Sequence, residues 1–322
     1  MKKFTLSALA LVAAAVAAPA FAQSSVTLYG RLNTTVETQK ENGGARKWVV
    51  ANNASRLGFK GLEDIGGGLK ASFNLEHGFN SDTGVSTAGT TFWGREAWVQ
   101  LAGSFGAVRL GSFTPESYFA TADYISMHNH DTGSSEDALY AFGPLVKNNK
   151  VGYFTPTVGG FNASMSVSVS EGAPGGRAYD FAGNYDSGPL HLGFGMADQG
   201  SSTQWAVRGL YELGAFTLGA YYNQGKNYTA GVAPVSGKYK AARVALMYSL
   251  GASEFHFNLG RASNGEQMTL GYNYNLSKRT KVYGYYTDRD LNRDNTGVTS
   301  NPATFNKRGD FSALAFGVRH NF

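Results

Sequence analysis

Over residues 160–170 the chain alternates without a break. Phe161, Ala163, Met165, Val167 and Val169 fall between Asn162, Ser164, Ser166, Ser168 and Ser170. A strand sends successive side chains to opposite faces, so this segment has one apolar face and one polar face. The same beat recurs at Leu190/Leu192/Phe194/Met196, at Phe255/Phe257/Leu259 and at Met268/Leu270/Tyr272/Tyr274, and more weakly at Trp205/Val207/Gly209/Tyr211. Followed along the chain it predicts about sixteen strands, near 24–37, 53–63, 68–79, 92–103, 107–113, 147–156, 160–170, 178–187, 189–198, 203–213, 215–225, 238–250, 253–262, 266–276, 280–289 and 309–322. Composition agrees. With 42 Gly in 322 residues a helical protein is disfavoured, because each Gly inside a helix costs about 1 kcal/mol relative to Ala. Disorder would leave 21 Phe, 18 Tyr and 4 Trp in water. The absence of Cys excludes a disulfide scaffold, thiolate metal sites and a Cys nucleophile.

The connections alternate as regularly as the side chains. Short polar turns follow the strands ending near 63, 103, 156, 187, 213, 250 and 276, and longer polar stretches cover 38–52, 80–91, 114–146, 171–177, 226–237 and 290–307. Tight turns at one end and long loops at the other are the plan of a barrel in an outer membrane. A soluble sandwich buries its apolar faces in a core about 10 Å thick and would not line the opposite faces with Gly, Ser and Asn so consistently. A propeller would show a repeat of about 40 residues, and none is visible. The longest uninterrupted apolar run after residue 22 spans five residues, as in 244–248, so no membrane helix is expected.

Met1-Lys2-Lys3, an apolar run over 8–18 and Pro19-Ala20-Phe21-Ala22 have the form of a secretory signal with cleavage between Ala22 and Gln23. Residues 23–322 then form one domain carrying a net charge of +3, too weak to argue for a nucleic acid partner. At the other end Phe322, His320, Val318, Phe316 and Leu314 share one face of the closing strand. A terminal Phe on an alternating strand resembles the signal read by the barrel-assembly machinery.

Four stretches carry a family resemblance: Ser25-Val26-Thr27-Leu28-Tyr29-Gly30; residues 55–64 (SRLGFKGLED) running into 66–71 (GGGLKA); residues 105–111 (FGAVRLG); and Tyr153-Phe154-Thr155-Pro156 with Gly159-Gly160-Phe161. They resemble the general-diffusion porins of β-proteobacteria, of the Neisseria and Burkholderia/Comamonas type. The resemblance implies an all-β, transmembrane antiparallel barrel of about sixteen strands, three barrels per complex, and a long third loop folded into the lumen. It also implies outer-membrane lipid and lipopolysaccharide as surroundings, and small ions and solutes in transit. Two positions depart from the family's habit: Ser112 stands where Arg often follows Leu-Gly, and a basic residue often found before Tyr153 would fall at Val146, with Lys147 next to it.

The alternation assigns the lumen charges. Leu57 and Phe59 put Arg56 and Lys60 on the inner side, Leu69 and Ala71 put Lys70 there with Glu76, Val108 and Leu110 turn Arg109 inward, and Val26 and Leu28 do so for Arg31. Facing lipid at the midplane would cost Arg or Lys about 2–4 kcal/mol. Arg95 shares its face with Ala97, Val99 and Leu101, and only the resemblance assigns it to the pore wall. Some of these charges are expected to be solvated wall or to pair with one another. Arg56, Arg95 and Arg109 are the first candidates for a basic ladder at the constriction, followed by Lys60, Arg31, Lys70 and Lys147. Residues 114–146 hold no Lys or Arg but carry Glu116, Asp123, Asp131, Glu136 and Asp137. An acidic loop facing a basic wall would set up a transverse field in the pore.

His128-Asn129-His130-Asp131 could supply three metal ligands, but no fourth ligand or supporting shell can be argued. No Ser sits in a G-x-S-x-G elbow and the remaining His lie on separate strands, so no cofactor, metal or catalytic group is expected. Two readings of different class remain: a passive aqueous channel with a modest anion preference, or a closed barrel serving as an adhesion or structural surface protein. The small inward residues favour the first.

Overall fold

The computed structural model describes residues 24–125, 145–172, 176–230, 233–263, 265–291 and 310–322. Its strands are β1 (Ser25–Glu41), β2 (Lys47–Asn52), β3 (Arg56–Gly66), β4 (Leu69–Gly78), β5 (Glu96–Gly103), β6 (Gly106–Ser112), β7 (Lys150–Phe154), β8 (Phe161–Ser168), β9 (Ala178–Ser187), β10 (Leu190–Gln199), β11 (Ser202–Leu213), β12 (Phe216–Ala230), β13 (Ala233–Leu250), β14 (Ser253–Ala262), β15 (Gly265–Asn275), β16 (Thr280–Leu291) and β17 (Phe311–Asn321). Two short helices follow β6: α1 (Glu116–Ala120) and α2 (Ala122–Ile125).

Each strand from β3 to β17 pairs antiparallel with the next, and β17 returns to β1 with Arg31 opposite Asn321 and Glu41 opposite Phe311. The sheet is therefore a closed barrel. The seam is sealed at its lower end by two hydrogen bonds, Gly30 N–H to Phe322 O at 3.0 Å and Phe322 N–H to Gly30 O at 3.1 Å. Strands β2 and β3 both pair with β1 and make one stave, which gives sixteen staves from seventeen segments. Between them, two residues of β1 (Leu32 and Asn33) face three of the partner (Asn53, Ala54 and Ser55), with Ala54 at φ +55°. That extra residue is a β-bulge. Asn33 bridges it, donating to the Asn53 carbonyl at 3.1 Å while its own N–H reaches Ser55 Oγ at 3.0 Å.

Sequence reading placed 38–52 in a loop and began the second strand at 53; here β1 continues to Glu41 and β2 occupies Lys47–Asn52. Likewise β12 and β13 extend through most of 226–237. Polar residues on both faces hide strand ends that rise above the membrane, because both faces there are wet.

The barrel is turned inside out relative to a soluble protein. Trp48 is 74% exposed, Val26 69% and Phe316 63%, whereas Asn33, Asn223 and Asn273 are fully buried on the inner side. An apolar outer band around a polar interior suits a lipid-facing barrel. Just above the short turns, Phe216, Tyr248, Phe255 and Tyr272 occupy one ladder row on the outer face. Their ring centroids lie 4.8, 6.3 and 5.1 Å apart in succession. Such a row marks the membrane boundary, where amphipathic rings gather.

Candidate functional site

On the wall formed by β3 to β7, period two brings charged side chains inward. Glu76 of β4 is the centre of one group. Arg95, just before β5, reaches Glu76 Oε1 with its Nε at 2.5 Å, and Arg56 Nη1 lies 3.9 Å from the same oxygen. The Tyr29 hydroxyl stands between Glu76 Oε2 at 2.8 Å and Asn74 Oδ1 at 2.7 Å. Lys147 joins the group from the loop's far end. Its carbonyl accepts the Phe113 N–H at 3.0 Å. Burial pushes its ammonium below the usual lysine range, and the charge of Arg95 adds to this against the pull of Glu96 and Glu76.

Arg109 of β6 forms a second group. Its guanidinium lies 4.2 Å from the Trp98 ring centre and 4.3 Å from that of Phe154. Nε donates to Gln100 Oε1 at 3.0 Å and Nη1 to Glu116 Oε1 at 3.1 Å. Burial raises the Glu116 carboxyl above its usual range, and the Arg109 charge opposes that shift. Glu96 holds the next turn of chain, accepting the Thr114 N–H at 3.1 Å and the Trp98 indole N–H at 3.0 Å. Lys150 of β7 donates to the Phe113 carbonyl at 3.4 Å and sits 4.2 Å above its ring.

Residues 114–125 run from this wall onto the inner side of β9 to β12. Asp180 of β9 accepts from both the N–H and the hydroxyl of Ser117, and Arg208 of β11 donates to the Ala120 carbonyl at 2.9 Å. Ala122 and Ile125 of α2 pack with the inward-facing Ala206, Leu210 and Tyr221.

The structure thus brings Arg56, Arg95 and Lys147 together around Glu76, with Arg31 directly across the ladder from Arg56. Arg109 stands apart from that group with Glu116. Lys60 lies over the Tyr29 ring at 5.3 Å, and Lys70 pairs across from Asp64 beside the short β3–β4 turn, so neither reaches Glu76. Asp123 lies on α2. Asp131, Glu136 and Asp137, and the His128–Asp131 motif, lie outside the described residues. Among the described residues no group of three metal-ligating side chains converges.

Sequence reasoning left several inner-wall cations out of the candidate set. Arg208, Tyr221, Arg243, Gly260, Gln267 and Arg289 follow one another along a single ladder row from β11 to β16. Arg243 Nη2 donates to Gln267 Oε1 at 3.3 Å, and Arg289 lies 5.1 Å from the Phe311 ring centre. Lys281 stands directly across from Arg319. Their signal was the same alternation: Val207, Val244 and Val282 mark the outer face on the neighbouring positions.

Comparison with known proteins agrees with this geometry. Residues 8–295 match the Gram-negative porin family. Outer membrane porin protein 32 of Delftia acidovorans is 36% identical over 88% of this chain and 88% of its own length. Major outer membrane protein P.IB of Neisseria meningitidis serogroup B is 32% identical over 64% of this chain and 58% of its own. Among solved structures, an anion-selective porin from Comamonas acidovorans superimposes with a TM-score of 0.76 at 27% identity, covering 93% of this chain and all of that one.

Proposed function

This chain belongs to the Gram-negative porin family, and from that premise we propose that its outer-membrane diffusion channel passes anions in preference to cations. One observation carries the preference: inward-facing cations outnumber inward-facing carboxylates among the described residues. Arg31, Lys47, Arg56, Lys60, Lys70, Arg109, Lys150, Arg208, Arg243, Lys281, Arg289 and Arg319 face inward from the strands, against Glu37, Glu41, Asp64, Glu76, Glu96, Asp180, Asp186, Glu212 and Glu254. The carboxylates also spend their lone pairs on wall donors. Glu76 serves Arg95 and Tyr29, Glu37 accepts from Tyr285 at 2.8 Å and Gln39 at 2.7 Å, and Glu254 accepts from Asn273 and Asn275, both at 2.8 Å. Fixed positive charge lowers the barrier for anions and raises it for cations. The Comamonas acidovorans relative is described as anion-selective, which supports the same reading.

The family and the fold support a channel rather than an enzyme, and we assign no catalytic step and no cofactor to the barrel. Further parts of the proposal are removal of residues 1–22 on export, assembly as a homotrimer through the first and last strands, and recognition of Phe322 by the assembly machinery. Contact with lipopolysaccharide at the outer rim completes it. The test of selectivity is the zero-current potential of single channels under a potassium chloride gradient. Its sign should follow chloride; a potential following potassium would sink the preference.

A further inference from the structure

A second set of cations shares the inner wall beside the short turn between β15 and β16. Arg31 of β1 and Arg319 of β17 each donate from Nε to one oxygen, Asn321 Oδ1, at 3.4 Å. At Nε the two guanidiniums therefore lie no further apart than twice that distance. Lys281 of β16 stands directly across the ladder from Arg319, and the charges of both arginines reach it. Asn321 is itself held at the rim, where its N–H donates to the Arg279 carbonyl in the turn at 2.8 Å. All three cations are half-buried.

This arrangement costs the fold stability. Like charges directly across a ladder are unfavourable, and two such pairs adjoin here: Arg31 faces Arg56, and Lys281 faces Arg319. The acceptor that Arg31 and Arg319 share is a neutral amide, which orients them without cancelling their charge. Glu254, whose charge also reaches Lys281, already accepts from Asn273 and Asn275, both at 2.8 Å. Local rules broken in this way mark functional positions.

We propose that Arg31, Arg319 and Lys281, aligned by Asn321, form a dock for a small dianionic oxyanion, a sulfate- or phosphate-like group, at the mouth on the side of the short turns. A guanidinium offers a planar fork of N–H donors that matches an oxyanion edge, and the ammonium adds a point charge beside it. Hydrogen bonds between charged partners are the strong ones. A dianion gains from all three cations at once, whereas chloride has one charge and no edge to fit a fork. The cations lie on three adjacent strands, so the register of β16, β17 and β1 fixes their spacing. This inference rests on the channel reading but not on its anion preference.

Single-channel conductance of the full chain in a planar bilayer tests it, with sulfate as the probe in a fixed background of potassium chloride. Sulfate should lower the unit conductance along a saturating curve, and nitrate, a monovalent oxyanion, should not do so at equal ionic strength. Lys281→Gln and Arg319→Gln should each raise the sulfate concentration for half-block by about tenfold, the worth of one charge-assisted hydrogen bond. Lys281→Arg keeps the charge and should keep the block. A parent that sulfate does not block, equal block by nitrate, or a half-block concentration unchanged in both glutamine variants would overturn the dock. Should Arg319→Gln fail to assemble, Lys281→Gln decides alone. A parent whose zero-current potential follows potassium but that sulfate still blocks, with the block weakened in the variants, would uphold the dock while defeating the proposed selectivity.

Discussion

At Glu76 two guanidiniums meet one carboxylate, which offsets part of the Arg56 and Arg95 charge. Two substitutions should therefore act in opposite directions. Arg56→Glu should move the zero-current potential toward cations, most strongly at low ionic strength, where screening is weak. Glu76→Gln should move it toward anions. Equal shifts of one sign, or no shift, would remove this cluster from the current path. Lys147 adds a dependence on pH. Because burial and Arg95 hold its ammonium below the ordinary lysine range, it loses its charge at a pH below 10.5. The anion preference should fall as pH rises toward that value, and Lys147→Gln should flatten the profile. The stability sign runs the other way. The unfolded chain holds this proton more tightly, so the Lys147 contribution to stability rises with pH over the same window.

At the scale of the strand, aromatic rings repeatedly lie over the glycine directly across the ladder. Tyr29 covers Gly58, Phe73 covers Gly61 and Tyr283 covers Gly317; a Cβ added at either Gly58 or Gly317 would come 2.5 Å from the ring. Each ring fills the gap left by a missing side chain and fixes the register of its pair. Tyr283 uses that position to donate to Asn33 Oδ1 at 2.7 Å and to accept from Asn53 at 3.1 Å, which ties β16 to the bulge between β2 and β3. Gly317→Val would force the ring off both partners, and overpacking of this kind costs about 1–3 kcal/mol. The expected outcome is a lower temperature for the shift from folded to unfolded mobility on a gel. Gly183→Ala, where an added Cβ meets nothing within 4 Å and the backbone is not left-handed, should shift that temperature less.

For the whole molecule the critical line is the seam between β17 and β1. Closure leaves no free edge among the staves, which a spanning sheet requires because lipid satisfies no backbone group. Phe322 supplies the last two seam hydrogen bonds and lays its ring over Gly30. Deleting Phe322 should sharply reduce the outer-membrane yield; an undiminished yield would deny it a part in assembly. The protein recovered from that membrane should begin at Gln23 by mass spectrometry, and a retained Met1 would count against the signal. Unheated samples should migrate as trimers on a gel and fall to the monomer position only after boiling, whereas monomer alone in mild detergent would oppose the trimer.

Strand existence, the inner and outer faces and the barrel class were legible because a membrane barrel repeats one local rule: outer positions meet lipid and inner positions meet water or polar wall. That rule needs no knowledge of which strand lies beside which, so Arg56, Arg109 and Arg31 could be turned inward from their neighbours alone. Arg95 lies outside the rule, in the turn before β5, and only its bond to Glu76 brings it to the wall. The pairing of charges was not legible either. Arg109 read as part of a basic ladder facing the acidic loop; its stacking beside Trp98 and Phe154 and its bond to Glu116 in particular follow from the register that sets β5, β6 and β7 side by side. Arg208, Arg243 and Arg289 became one row only when five successive strand pairings fixed their heights. Gly195 read as one more small lumen residue until α1 was seen resting on it. Alternation is a property of each strand by itself and is written in the sequence; height, partnership and contact with the inner segment come from long-range hydrogen bonding, and only the closed barrel decides them.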